Sequence, residues 1–281
     1  MAYDILETSN ELGRPAEFYA FMLGPNSWRY TTADVDVESG GFTWTSAAIK
    51  SDTVKQTGET SNDAFNLDVP SWIAPAQIHM ASAPSSPITM TQYTKHNGDS
   101  EMLVSYIGEV VQVGFPMPGR AKIVCQNTSG SLDREGLRLG WQRTCSYALY
   151  DPLTCKVDKA AWQQAVVVLQ IAGAVVSVEL AGTLHDTDFF NNGFLVWTHP
   201  MRGNEYLAIE KSVKIAPAAN SVNTQLLLQG DPGELYEGAT GFILPGCNFT
   251  PTNCQAFGNY DNYGGEPDLP GRSPFDGQPV F

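Results

Sequence analysis

The 281 residues are 42% hydrophobic and 11% aromatic, enough to bury one large or two ordinary cores, so bulk disorder is excluded. With 30 acidic against 16 basic residues the formal charge is −14, and no Lys/Arg cluster interrupts it, which argues against a nucleic-acid groove. The opening Met1–Glu7 lacks a basic region ahead of an apolar core, so it does not read as a secretory signal, and synthesis in a reducing cytoplasm is expected. The most apolar run, Ala165 to Val178, is broken by Gln170 and Gly173 and is too short for a membrane span.

In chain order, residues 3–29 form a short helical or extended lead around Glu17-Phe18-Tyr19-Ala20-Phe21-Met22-Leu23, closed by Gly24-Pro25. Alternation of aromatic or aliphatic residues with Thr, Asn and Asp then predicts strands at Trp28–Thr32, Phe42–Thr45 and Ala64–Val69. Residues 72–81 predict a helix confined to the part after Pro75. Ile88–Thr94 and Met102–Ile107 flank Asn97-Gly98, a pair suited to a tight hairpin turn. Val110–Phe115 and Ala121–Cys125 continue the β pattern on either side of Pro116-Met117-Pro118-Gly119. A second run of strands follows at Gln163–Leu180, Phe189–Trp197, Glu205–Ile215 and Thr224–Leu228.

Turn signals every ten or so residues and the lack of a long 3.6-residue period predict a mainly β protein of two barrel- or sandwich-like parts. The expected division is residues 1–140 and 141–281, the second part ending in a Pro/Gly-rich arm after Gly264.

The chemistry gathers at cysteines. Cys145 and Cys155 lie ten residues apart just before the second run of strands, and Cys247 and Cys254 lie seven apart just after it, in a Gly/Asn/Pro-rich stretch. Without a secretory signal, an odd total of five shifts the expectation from disulfides toward metal ligation or free thiols. The spacings exceed the two-residue gaps of zinc ribbons, and an iron–sulfur cluster accepts ligands from separated loops more readily than one zinc ion does. Cluster, zinc, disulfides and unliganded thiols all stay open on the residues alone. Cys125, in the β-like Lys122-Ile123-Val124-Cys125, reads as a small buried hydrophobe outside the site.

Other constellations carry less. There is no Gly-x-Ser-x-Gly, Gly-x-x-x-x-Gly-Lys or His-Glu-x-x-His. His79, His96, His185 and His199 are scattered, and His185-Asp186-Thr187-Asp188 reads as a solvated, Asp-capped turn rather than a metal site. Glu234 and Glu237 read as surface charge, and Trp28, Trp44, Trp72 and Trp197 as core packing.

Trp141-Gln142-Arg143-Thr144-Cys145, Leu149-Tyr150-Asp151-Pro152 with Cys155-Lys156-Val157-Asp158, and Gly246-Cys247, Cys254, Phe257-Gly258-Asn259, Asn262-Tyr263-Gly264-Gly265 and Pro270-Gly271 closely resemble the tail-tip hub proteins of long-tailed bacteriophages. That group includes the conserved hypothetical BR0599-like proteins and the hubs of phage-like gene transfer agents. Gly13–Tyr19 and Trp28–Asp34 resemble the family's opening, so the likeness runs through nearly the whole chain.

The resemblance implies a non-enzymatic structural subunit at the distal end of a virion tail, a role like that of tail-tip protein L of phage lambda. It implies a [4Fe–4S] cluster whose ligands map onto Cys145, Cys155, Cys247 and Cys254, while Cys125 matches no motif position. It also implies a homotrimer whose other partners are tail proteins: the distal ring and the central fibre or receptor-binding components. DNA would pass through the lumen without sequence-specific binding, and the acidic balance suits such a wall. Glu266 stands where relatives have an aromatic after the double glycine. Two rival readings are a soluble iron–sulfur electron-transfer protein and a glycan-binding or glycan-cleaving tail adhesin.

Overall fold

The structure, a computed structural model, describes residues 15–54, 64–96, 101–128, 140–181, 185–215 and 223–269. The chain divides into two compact units. Met1–Arg134 with His199–Glu205 form the first, and Glu135–Thr198 with Tyr206–Phe281 the second.

In the first unit β1 (Pro15–Leu23), β2 (Asn26–Thr31), β3 (Val37–Ser39), β4 (Phe42–Ser46), β5 (Lys50–Ser51), β6 (Phe65–Pro70), β7 (Thr89–His96), β8 (Leu103–Met117) and β9 (Arg120–Asn127) form one sheet. Their order is β3-β4-β2-β1-β7-β8-β9-β6-β5. This is a nine-stranded sheet with β3 and β5 at its two ends, whereas the residue pattern had predicted a barrel or sandwich. The pleat places alternate residues on one face, and that face carries the core. Tyr19, Phe21 and Leu23 of β1 are buried, as are Phe65, Leu67 and Val69 of β6. The latter stand opposite Cys125, Ile123 and Ala121 of β9.

The short helix α1 (Ala74–Ile78) carries Pro75 in its first turn, where no intrahelical N–H is needed. Pro116 does not end β8. It sits at a register irregularity between Gly114 and Met117, where the ladder needs no donor, and the chain reverses after it at Gly119 (φ +79°). The predicted Asn97-Gly98 turn lies outside the described residues.

In the second unit β10 (Gln164–Ala172), β11 (Val175–Leu180), β12 (Phe194–His199), β13 (Gly203–Lys214), β14 (Asn223–Leu228) and β15 (Thr240–Leu244) close a barrel in the order β10-β11-β14-β13-β12-β15. Its interior is filled by Val166, Val176, Val178, Leu195, Trp197, Ile209, Leu226 and Ile243 among others. Strand β15, five residues long between a Gly-containing loop and Pro245-Gly246, has too little alternation to announce itself, yet it closes the ring by pairing with both β10 and β12.

The predicted strand at Phe189–Trp197 is a strand only from Phe194 onward, because its first half turns through Asn192 (φ +57°). Gly193 is required there. A Cβ on it would stand 2.0 Å from the Leu244 carbonyl oxygen. Before β10 comes a one-turn helix α2 (Lys159–Trp162). After β15 come α3 (Pro251–Ala256) and a 3-10 turn at Tyr260–Asn262.

Candidate functional site

Three loops of the second unit converge: the segment before α2, the segment from Pro245 into α3, and the stretch after the 3-10 turn. Side-chain and backbone ties, rather than a ladder, hold them. Cys145 N–H donates to the Phe249 carbonyl (2.9 Å) and Glu266 N–H to the Gln142 carbonyl (2.9 Å). The Tyr150 hydroxyl donates to the Pro245 carbonyl (2.7 Å) and the Tyr263 hydroxyl to the Arg143 carbonyl (2.6 Å). The Arg143 Nε–H reaches the Leu269 carbonyl (2.7 Å).

Helix α3 is started by Thr250, whose side chain accepts from Asn253 N–H, with Pro251 in its first turn. The residue types follow from these close approaches. A Cβ on Gly246 would stand 2.1 Å from the Asn192 carbonyl carbon, so glycine is what lets the approach to Cys247 press on the barrel's 191–193 turn. Cβ atoms on Gly264 and Gly265 would fall 2.4 Å from the Tyr147 ring and 2.7 Å from the Arg143 carbonyl oxygen.

Within this arrangement Cys145, Cys155, Cys247 and Cys254 line one small cavity, with Tyr147, Leu149, Val157 and Phe257 in its walls. Cys155 and Cys254 are buried, Cys145 and Cys247 half-buried, and none of the five cysteines is in a disulfide. Donors point at three of the four sulfurs. Phe249 N–H lies 3.3 Å from Cys247 Sγ, Gly264 N–H 3.4 Å from Cys145 Sγ, and the Asn259 side-chain amide 3.7 Å from Cys155 Sγ. The same Asn259 amide donates to the Cys155 carbonyl, and the Asn259 carbonyl accepts from the Cys254 thiol (3.1 Å), so one residue ties two cysteines from different loops.

Burial pushes the Cys247 and Cys254 thiols up, and the neighbouring cysteines push them further. Burial likewise raises the hydroxyls of Tyr150 and Tyr263, with the thiols adding to the effect. Cys247 and Cys254 therefore resist becoming thiolates together unless a cation joins them.

The backbone also departs from its ordinary basins here. Of the five non-glycine residues with positive φ among the described residues, three are Tyr150 (+65°), Lys156 (+61°) and Phe249 (+60°), each close in sequence to a cysteine. Among the described residues, however, no three of His, Cys, Asp and Glu are grouped so as to hold one metal ion, and the geometry alone does not display an iron–sulfur site. The donor set and the N–H groups aimed at sulfur suit a thiolate-bound group.

The remaining candidates separate cleanly. Cys125 is fully buried in the sheet core, opposite Phe65 and Val110, and burial pushes its thiol up to about 12. His185 stacks on Phe189 (3.8 Å between centroids), Asp186 pairs with Lys214 (3.2 Å), and Glu234 and Glu237 are exposed. Trp44 and Trp197 are buried and Trp28 half-buried, but Trp72 is 51% exposed and is not a core residue. Its ring meets Tyr30 edge to face, 6.1 Å between centroids, on the turn before α1. Sequence reasoning missed Asn259 as a site residue. The Phe257-Gly258-Asn259 motif was the available signal, with Gly258 (φ +65°) bringing the chain back after α3.

Comparison with known proteins adds three findings. Residues 188–273 match the family described as "Phage conserved hypothetical protein BR0599", a stretch that holds Cys247 and Cys254 but not the first pair. A protein of Xylella fastidiosa (strain 9a5c), described as "Uncharacterized protein", is 27% identical over 124 residues, covering 40% of this chain and 26% of its own length. The chain thus spans about a quarter of that relative. A chain in the structure titled "Virion of native gene transfer agent (GTA) particle" superposes with a TM-score of 0.79 at 18% identity, covering 100% of this chain and 99% of that one. Residues 188–273 therefore carry the sequence pattern of a phage protein family, and the whole chain has the fold of a component of a gene transfer agent particle.

Proposed function

We propose that this chain is a structural hub subunit of a phage or phage-like tail tip, with a [4Fe–4S] cluster on Cys145, Cys155, Cys247 and Cys254 riveting its C-terminal loops. The observation that carries the reading is the convergence of the four cysteines on one cavity, in a fold shared with a virion component. Cys145, Cys155, Cys247 and Cys254 would each bind one iron of the cluster through a thiolate, and the shared cluster would join both ends of the barrel sequence. By analogy with a disulfide, closing the 92-residue span from Cys155 to Cys247 contributes ~4 kcal/mol.

The protein's own part is to place the sulfurs, aim N–H groups at them and keep water off the inner pair. Its location is the distal end of the virion tail. There the subunit assembles with itself, as a homotrimer, and joins the tail tube to distal-ring and fibre or receptor-binding proteins. The large apolar side chains left exposed on the cysteine loops favour such assembly: Trp141 is 85% and Leu153 83% exposed. The acidic balance keeps passing DNA from adhering to the wall.

Anaerobic purification followed by iron and acid-labile sulfide analysis tests the reading. Brown protein with about four irons and four sulfides per chain is expected, as the cluster type requires. Colourless protein, or protein holding one zinc, overturns it.

A further inference from the structure

Beside the cysteine cavity, and sharing only Phe257 with it, lies a second, open pocket of about 200 Å³ in the same unit. It is lined by the rings of Trp162, Phe189 and Phe257, by Pro245, Gly246, Asn253 and Ala256, and by Asp188, the one charged residue among the described residues that line it. We infer that this pocket binds a single lysine or arginine side chain presented by another protein of the assembly.

Size comes first. The pocket is below the several hundred cubic ångströms of a drug-sized site and suits one long side chain. Its chemistry is selective in sign. Aromatic rings attract a cation to their faces and give its alkyl stem apolar surface to lie along, and a carboxylate completes the charge match. Among the described residues no basic side chain lines the pocket to favour an anion.

The walls are also held in place. Phe257 packs edge-on to Trp162 (4.7 Å between centroids), and Phe189 is stacked on His185 and set edge-on to Phe190. Asp188 is fixed by three contacts. Its N–H donates to the Ser212 carbonyl (2.8 Å), its carbonyl accepts from Asn191 N–H (3.2 Å), and its Oδ1 accepts from the Asn191 side-chain amide (3.0 Å). The chain holds it at φ +71°, a conformation that costs most residues energy but that Asp and Asn tolerate best. Rings and carboxylate are thus set before a ligand arrives, which reduces the entropy lost on binding.

The left-handed backbone supplies a clean test. Asp188→Asn removes the charge while keeping a residue suited to that φ and an oxygen for Asn191, so the fold should survive. The full chain is titrated with Nα-acetyl-arginine methylamide and Nα-acetyl-lysine methylamide, following the Trp162 indole N–H by NMR. Nα-acetyl-norleucine methylamide and methyl β-glucopyranoside serve as uncharged comparisons.

The expected result is saturable movement of the Trp162 signal with the cationic probes. Binding should be at least about fivefold weaker in Asp188→Asn and weakened by added salt, with an unchanged melting temperature. Trp162→Leu should lose cationic-probe binding, read by saturation transfer to the probe. Equal binding of the norleucine probe, no effect of Asp188→Asn, or no response to any probe overturns the proposal. Preference for the glucoside overturns it in favour of a saccharide site. Because the titration reads the pocket directly, its result stands apart from whatever the four cysteines hold.

Discussion

The sheet of the first unit and the cysteine loops of the second keep their shapes by opposite means. In the sheet every buried side chain has a cross-strand neighbour. Leu67 faces Ile123 and Phe65 faces Cys125, so the core is redundant and its losses graded. The loops bury few aliphatic side chains and rely on hydrogen bonds from Tyr150, Tyr263, Arg143 and Asn259 to carbonyl groups of other loops. They also hold three non-glycine residues at positive φ. A structure of that kind has little reserve of its own, and a shared tie at its centre would affect all three loops together.

The largest break in that comparison should come from Cys247→Ser. Loss of the proposed cluster is expected to cost ~4 kcal/mol and to abolish bound iron. Limited proteolysis should then cut the 245–269 region while the nine-stranded sheet stays resistant. Retained iron and an unchanged melting temperature would remove the cluster from the account.

Next in size is Gly246→Ala, which puts a Cβ onto the Asn192 backbone. Neither backbone segment can yield without moving the 191–193 turn or Cys247, so roughly 3 kcal/mol of destabilisation is expected, together with partial loss of iron. Asn259→Ala should cost less, about 2 kcal/mol, since it removes the side-chain amide's ties to the carbonyl and sulfur of Cys155 while the backbone acceptor for Cys254 remains. Its distinguishing readout is the cluster's visible absorption and reduction potential. Both should shift, because N–H groups aimed at sulfur tune the site, whereas a merely structural asparagine would leave them alone.

How far this contrast was legible in the sequence follows from the same physics. Alternation exposes a strand wherever one face is buried, so β6, β7 and β9 were readable from Leu67, Met90 and Ile123 and their polar neighbours, whereas β1, a nearly unbroken apolar run, left helix and extended chain both open. The closing strand β15 was not. Five residues flanked by glycine and proline leave no period to detect, and only pairing on both edges makes them a strand. Closure itself is a long-range property, which is why one of the two parts proved to be a barrel and the other a nine-stranded sheet.

At the site, the four cysteines were legible as residue types in turn-rich segments, and the glycines beside them as turns. Asn259 was not, because its side-chain amide acts on Cys155, 104 residues away in sequence. Trp72 misled for the converse reason: a tryptophan in a β-rich context suggests core, but its turn leaves half of it outside.

The smallest effects should come from the sheet, and they test whether its redundancy is real. Ile123→Val is expected to cost about 1 kcal/mol, the usual result of deleting one buried methylene. Cys125→Ala is expected to cost about 1 kcal/mol or less, since it removes one sulfur from a face that Phe65, Ile123 and Val110 continue to fill. Iron and sulfide per chain should not change, and thermal unfolding should stay as sharp as in the unaltered protein. If the cysteine substitution instead lowered the iron content, the fifth thiol would belong to the site after all, and the separation between a self-sufficient sheet and a tied set of loops would fail at the residue chosen to divide them.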